Sequence, residues 1–259
     1  MQAFQFQAAT TLADARAAAA AGAKLMAGGQ SLLPSMRLGM SQPESVADLS
    51  AVPGLSGITV SGGVVRIGAM TTHAAVAASA DVAAAIPALA DLASRIGDRQ
   101  VRNRGTIGGS VANADPAACY PAALLGLGAT VHTDRRDIAA DEFFTGLYAT
   151  ALAEDEVITA VSFPIPEKAG WQKFKQPASR FSIVGVFVSK GPKGVRVAVT
   201  GAGPSVFRAG DLESRLSARW SAAALEGAAV SAEGLNTDLH GSAEYRAALI
   251  PVLAARAVA

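Results

Sequence analysis

The stretch "RGTIGGSVANADP", Arg104–Pro116, sets three glycines, a threonine, a serine, an asparagine and an aspartate into thirteen residues of an alanine-rich chain. Glycine lets a backbone take positive φ and lets it approach a ligand with no Cβ in the way, so that consecutive N–H groups converge on phosphate oxygens. A second segment of the same kind, "AGGQS" at Ala27–Ser31, lies near the N-terminus. A single glycine cluster is usually a turn. Two of them, each with a hydroxyl residue, suit the two phosphoryl groups of a diphosphate, and Lys24, Arg102 and Arg104 would supply positive charge. The chain contains no G-x-x-x-x-G-K-[ST] and no G-x-G-x-x-G, which argues against a P-loop and a single-loop Rossmann site. "GAGPSV" at Gly201–Val206 starts like the latter but lacks the third glycine, and it reads as a turn ending a strand.

Working outward, "TLADARAAAAA" from Thr11 predicts a capped helix that stops at Gly22. "AKLMAGG" predicts a short strand entering the first glycine segment, and "ESVADLS" another. A strand–helix–strand unit of this kind implies parallel pairing. "VVRIGAM" (Val64–Met70) is a strand, with Thr71 or Thr72 capping the helix "HAAVAAS", and "AAIPALADLASRI" a further helix. After the second glycine segment comes a helix that passes into a strand near Ala129. "EVITAVSFPIP", "WQKFKQ", "FSIVGVFVSK" and "VRVAVTGAG" are strands, the last of them forming an antiparallel meander over Arg180–Gly203 under helices from "DLESRL" and "SAEYRAALIPVLAARA". Breaks at "PGLSG" and "PIPEKAG" divide the chain near residues 57 and 167, giving units 1–57, 58–167 and 168–259.

Bulk numbers exclude several classes. With 22 Lys plus Arg against 21 Asp plus Glu, no overall field favours nucleic acid or an anionic membrane. One cysteine, Cys119, cannot make an internal disulfide or hold an iron–sulfur cluster alone. No apolar run reaches membrane-spanning length, and a soluble, cytoplasmic protein is expected. His73, His132 and His240 lie far apart with no ligand spacing, and Asp134, Asp137, Asp141 and Glu142 read as a solvated turn. Cys119, with no basic neighbour in sequence, reads as a small buried residue.

"KLMAGGQSLLPSMRL" together with "RNRGTIGGSVANADPAA" resembles the FAD-binding medium subunit of the molybdenum hydroxylases, the group of carbon monoxide dehydrogenase, xanthine dehydrogenase and aldehyde oxidase. "WQKFKQPASRFSIVGV" and "GSAEYRAALIPVLAARA" extend the likeness over nearly the whole chain. The resemblance implies an α+β protein: a two-subdomain FAD-binding fold of the vanillyl-alcohol oxidase/PCMH type, followed by a C-terminal α+β domain with a three-stranded antiparallel sheet and helices. It implies that Ala27, Gly28, Gly29, Gln30, Ser31 and Leu32 wrap the FAD diphosphate, with Lys24 close behind, and that Thr106, Gly108, Gly109 and Ser110 meet it from the other side. Asn113, Asp115 and Cys119 would lie toward the ribityl chain or sugar, Ile158 near the adenine or flavin edge and Lys175 near the flavin end. Two positions depart from the pattern: Ser110 stands where asparagine is frequent, and Cys119 where aspartate is usual, so FAD retention is expected to be weaker.

The implied role is electron transfer within an oxidoreductase. FAD here would collect electrons from 2Fe-2S clusters on a small subunit, fed by a molybdopterin cytosine dinucleotide centre on a large subunit, in a dimer of heterotrimers, and pass them to an external acceptor. No catalytic side chain and no metal ligand is expected on this chain. The alternatives are a stand-alone FAD oxidase of the vanillyl-alcohol oxidase type and a non-catalytic nucleotide-binding module.

Overall fold

The computed structural model describes residues 2–258. It begins with strand β1 (Gln5–Ala8), followed by α1 (Leu12–Ala20), β2 (Lys24–Met26), α2 (Leu32–Arg37) and β3 (Ser45–Asp48). The cap of α1 is reciprocal: the Thr11 hydroxyl accepts from the Asp14 N–H while the Asp14 carboxylate accepts from the Thr11 N–H. Ala15, Ala18 and Ala19 form its buried face. The three strands pair in parallel in the order β1-β3-β2, as the strand–helix–strand reading predicts. Sequence reading misses β1 because all four of its residues are exposed, which leaves no apolar alternation to detect.

Next come β4 (Ile58–Ser61), β5 (Val64–Gly68), α3 (His73–Ala78), α4 (Ala80–Ala85), α5 (Pro87–Ser94), α6 (Arg99–Arg104), α7 (Ile107–Asn113) and α8 (Tyr120–Leu127). They are followed by β6 (Thr130–Thr133), β7 (Asp137–Ala139), α9 (Ala140–Phe143), β8 (Phe144–Gly146), β9 (Ala149–Thr150) and β10 (Ile158–Pro164). The antiparallel sheet β4-β5-β10-β6-β7 turns Val65, Ile67, Val131, Val161 and Phe163 inward. The helix expected over "AAIPALADLASRI" starts only at Pro87, because proline suits a first helical position and removes the N–H that a continuing helix would need.

The remaining elements are β11 (Lys168–Lys175), β12 (Ser182–Gly191), β13 (Gly194–Thr200), β14 (Phe207–Arg208), α10 (Gly210–Ala218) and α11 (Ala243–Val258). The expected three-stranded meander is present as β11-β12-β13, and the two-residue β14 adds a fourth strand to its edge. β12 is buried from Ser182 to Ser189, since α11 packs against it from one side and α8 from the other. Strands covered on both faces read as continuous apolar runs, and "SIVGVFVS" does.

Helix α8 lies between the two large sheets. Every one of its residues is buried, and it packs on β12 and β13 as well as on β10. Its C-terminal carbonyls, which lack partners within the helix, are met by the C-terminal sheet: Ser189 Oγ donates to Gly126 O and Arg196 Nε to Leu125 O, at 2.5 and 2.6 Å. Thr200 Oγ1 contacts both Pro116 O and Ala118 O just ahead of the helix. Phe187 and Trp171 join the same apolar cluster as Leu124, Val161 and Phe163, so the core runs through both sheets.

Candidate functional site: two apposed glycine segments

The first glycine segment leaves β2 and enters α2. Gly29 sits at φ +71, where only glycine is unstrained, and Gln30 folds back so that its amide donates to Gly28 O at 3.1 Å. The backbone N–H groups of Gly28, Gly29, Gln30, Ser31 and Leu32 donate to no other group among the described residues. Ser31, at the cap position of α2, makes no side-chain cap bond. Five consecutive donors are therefore open, on a surface where Gln30 and Ser31 are exposed.

The second segment is built differently. Sequence reading takes Gly105–Ser110 as a loop ahead of a helix, whereas α7 begins at Ile107 and its first turn contains both Gly108 and Gly109. Their N–H groups are occupied: Gly108 donates to Ala69 O at 2.8 Å and Gly109 to the Thr106 hydroxyl at 3.1 Å. Ser110 donates to Thr106 O. Gly108 has no room for a side chain, since a Cβ would lie 2.6 Å from the Ala69 Cβ. Thr106 is the N-cap of α7 and is 3% exposed.

The two segments touch. A Cβ on Gly28 would overlap the Arg104 carbonyl oxygen and stand 2.8 Å from the Gly105 Cα. One on Gly109 would stand 3.2 Å from the Ala27 Cβ. Glycine at these positions is what lets the two backbones close on one another. A ligand with two adjacent anionic groups fits this arrangement: open amides on one side, and on the other a hydroxyl and a helix start whose dipole favours negative charge.

Beyond α7 the chain turns through Ala114, at φ +46, to Asp115. The Asp115 carboxylate accepts from the Ala117 N–H at 2.8 Å and from the Tyr148 hydroxyl at 3.3 Å, the latter reaching over from the β8–β9 hairpin. Burial raises the Asp115 carboxyl above the usual carboxylate range, because desolvation penalises its charge more than these two bonds favour it. Asn113, half-buried, ends α7 beside this turn.

Cys119 caps α8 and is buried, with its thiol 3.8 Å from Ser182 Oγ; Lys173 Nζ donates to the sulfur at 3.4 Å and to Arg95 O at 2.9 Å. The thiol thus has a basic neighbour that sequence adjacency does not reveal. Lys175 is exposed at a register shift in β11, and Lys24 is exposed on β2. Arg102 spends its guanidinium on Ile96 O and Gly97 O. Ile158 lies in the apolar interior, on a strand against which α7 packs.

Beneath the second segment sits His73, 4% exposed, whose N–H donates to Gly105 O. A Cβ on Gly105 would lie 2.6 Å from His73 Nε2, so this glycine too is required by packing. His73 Nδ1 and the Tyr120 hydroxyl are buried without hydrogen-bond partners among the described residues, their rings 5.4 Å apart. Burial lowers the imidazole pKa to about 4, with Arg102 adding repulsion, so His73 is neutral near pH 7. The acidic stretch is solvated at Asp137, Asp141 and Glu142, as expected, though Asp137 bonds His132 and Asp141 pairs with Arg196; Asp134 departs from that reading, its side chain buried against Arg16.

Comparison with known proteins sets this geometry in a family. Residues 2–166 match the family model described as the FAD binding domain in molybdopterin dehydrogenase. The nicotine 6-hydroxylase medium subunit of Paenarthrobacter nicotinovorans is 38% identical over 250 residues, covering 91% of this chain and 88% of that protein. The carbon monoxide dehydrogenase medium chain of Hydrogenophaga pseudoflava is 35% identical over 252 residues, with the same coverage. Among solved structures, carbon monoxide dehydrogenase from Hydrogenophaga pseudoflava superposes with a TM-score of 0.90 at 34% identity, covering 99% of this chain and 96% of that one. Quinoline 2-oxidoreductase from Pseudomonas putida 86 does so with a TM-score of 0.87 at 29% identity. The chain belongs to this family of FAD-binding medium subunits of molybdenum hydroxylases; it is an oxidoreductase subunit, and its cofactor is FAD. No helix among the described residues is long and apolar enough to cross a membrane.

Proposed function

We propose that this chain, as a member of that family, is the electron-transfer subunit of a heterotrimeric molybdenum hydroxylase, taking electrons from 2Fe-2S clusters on a small partner and delivering them to an external acceptor. The observation that carries the reading is the contact between the two glycine segments beside five open amides. When bound, FAD supplies the capacity to accept electrons singly and release them as a pair.

In this reading the chain's own residues bind and orient. The amides of Gly28 to Leu32 hold one phosphoryl group, with Ala27 against Gly109 closing the cleft and Lys24 adding long-range positive charge. Thr106, its oxygen accepting from Gly109, keeps its own O–H free for the second phosphoryl group, and Gly108 and Ser110 set the start of α7. Asn113 and Asp115 receive the cofactor's hydroxyl-bearing chain. Asp115 offers its carboxyl oxygens there, and Tyr148 and the Ala117 N–H hold the carboxyl in place. Cys119 replaces a carboxylate acceptor with a thiol, a weak hydrogen-bonding group, so FAD is held less tightly than an aspartate would hold it. Ile158 acts through its backbone at the adenine or flavin edge, its side chain being committed to the core. Lys175 approaches the flavin end. The large partner carries the molybdopterin cytosine dinucleotide, the assembly is a dimer of heterotrimers, and a single buried thiol suits a cytoplasmic setting.

Co-expression of the chain with a molybdopterin subunit and a 2Fe-2S subunit tests the reading. A three-chain complex whose flavin absorbance bleaches on addition of the hydroxylase substrate, and recovers with an acceptor, is expected. Turnover of a small alcohol by the isolated chain would instead favour a self-sufficient oxidase, and a colourless protein that takes up no FAD would overturn both.

A further inference from the structure

The outward face of the five-stranded sheet carries a constellation that flavin binding does not use. His132 on β6 lies between Asp137 on β7 and Ser162 on β10: its Nδ1 is 2.6 Å from Asp137 Oδ1, and its Nε2 is 2.7 Å from Ser162 Oγ. The sheet fixes this arrangement, since His132 is the cross-strand partner of both Asp137 and Ala160, while Ser162 pairs with Thr130 on one side and Arg66 on the other. The exposed Asp137 carboxylate can only accept, so it takes the Nδ1–H and leaves the Nε2 lone pair facing the serine hydroxyl. An aspartate that sets the tautomer, an imidazole that serves as base and a hydroxyl within its reach define a nucleophile relay by geometry, whatever the residue order.

A further feature suits acyl chemistry. Arg66, directly across from Ser162, is exposed, and its guanidinium makes neither an ion pair nor a side-chain hydrogen bond among the described residues. Cross-strand Cβ atoms stand about 4.5–5.5 Å apart, which puts a cation within reach of an oxyanion formed at Ser162. The neighbouring row, Gly68 and Ala160, is buried, with the Leu55 backbone lying over Gly68, so an ester reaches Ser162 from the side of Arg66 and Thr130.

The geometry points to Ser162, His132 and Asp137 as a second, flavin-independent site that hydrolyses small carboxylic esters through an acyl-serine intermediate. Ser162 Oγ forms a bond to the ester carbonyl carbon while its proton moves to His132 Nε2. The bond to the leaving alkoxide then breaks, and His132 returns the proton to it, releasing the alcohol. Water repeats the sequence: it attacks the acyl carbon, passes a proton to His132 and displaces Ser162, which regains that proton as the carboxylic acid leaves. Arg66 stabilises the negative oxygen in both halves.

The test uses the full chain with its flavin, a fluorophosphonate probe and 4-nitrophenyl acetate. Peptide mass spectrometry is expected to find the phosphonyl adduct on Ser162. Ser162→Ala and His132→Gln are each expected to lower ester hydrolysis by about tenfold or more, below the ~10²–10⁴ range of general-base assistance because Asp137, which orients the imidazole, is exposed to water. Arg66→Gln, at an exposed position whose side chain has no hydrogen-bond or ion-pair partner among the described residues, should lower kcat, and flavin content should be unchanged in all three variants. An adduct absent from Ser162, or hydrolysis equal in parent and Ser162→Ala with flavin content intact, would overturn the proposal without touching the flavin reading.

Discussion

The two glycine segments look alike as strings and behave oppositely as structures. In Ala27–Ser31 the glycine backbone is left with its amides open and its surface half exposed. In Gly105–Ser110 the glycines are pressed against Ala69 and His73, and the N–H groups of Gly108, Gly109 and Ser110 are already committed. One segment uses glycine to present donors; the other uses it to let a helix start sit close to a sheet. A count of glycines therefore does not count ligand contacts, because the missing Cβ can serve approach by a ligand or approach by the protein itself.

The largest effect should come from where the two meet. Gly28→Ala puts a methyl into the Arg104 carbonyl and is expected to lower flavin content at least about tenfold, with a stability loss of about 3 kcal/mol from overpacking, read by flavin absorbance and by thermal unfolding. Gly210→Ala, where nothing lies within 4 Å, is the matched control and should be neutral.

Beneath the second segment, His73 gives a pH signature. Its native pKa of about 4 lies below the ordinary 6.5, so between these values the unfolded state binds more protons and stability rises with pH. Folding stability measured by urea titration should drop by about 3 kcal/mol as pH falls from 6.5 to 4, with a flat contribution outside that window. His73→Gln should remove this slope; an unchanged slope would mean the imidazole is not held neutral.

Gly108→Ala should cost about 2 kcal/mol, because a methyl there meets the Ala69 Cβ and carbonyl, while flavin bound per folded molecule stays near the parent value. A selective loss of flavin instead would erase the contrast drawn between the segments. Thr106→Ala should cost about 1 kcal/mol through the lost cap of α7, with Thr106→Ser recovering most of it. The smallest change is Cys119→Asp, which places a carboxylate beside Lys173 and is expected to raise the flavin retained after gel filtration by less than about threefold, the worth of a modest hydrogen bond.

Much of this molecule was legible in its letters. The parallel unit at the start, the meander of β11 to β13 and the pair of glycine segments all follow from local signals: a capping threonine, apolar runs and glycine spacing. What was not legible depends on distant partners. Helix α6 buries none of its residues and is started by Asp98, whose carboxylate accepts from the Val101 N–H, so periodicity carries no trace of it. Asp134 reads as a surface charge until Arg16, from the first helix of the chain, comes to cover it. Tyr148 and Lys173 reach the site from a hairpin tip and from a strand of another sheet, and neither has a neighbour in sequence that announces the contact.

Helix α8 has a consequence for anyone dissecting this protein. The matched family model stops at residue 166, yet the carbonyls of Pro116, Ala118, Leu125 and Gly126 find their partners on strands that follow it. A fragment ending at that border would lay bare an entirely apolar helix and strip four acceptors of their donors, so it should aggregate rather than bind nucleotide. The border at residue 166 therefore cuts through the packing that holds α8 on both sides.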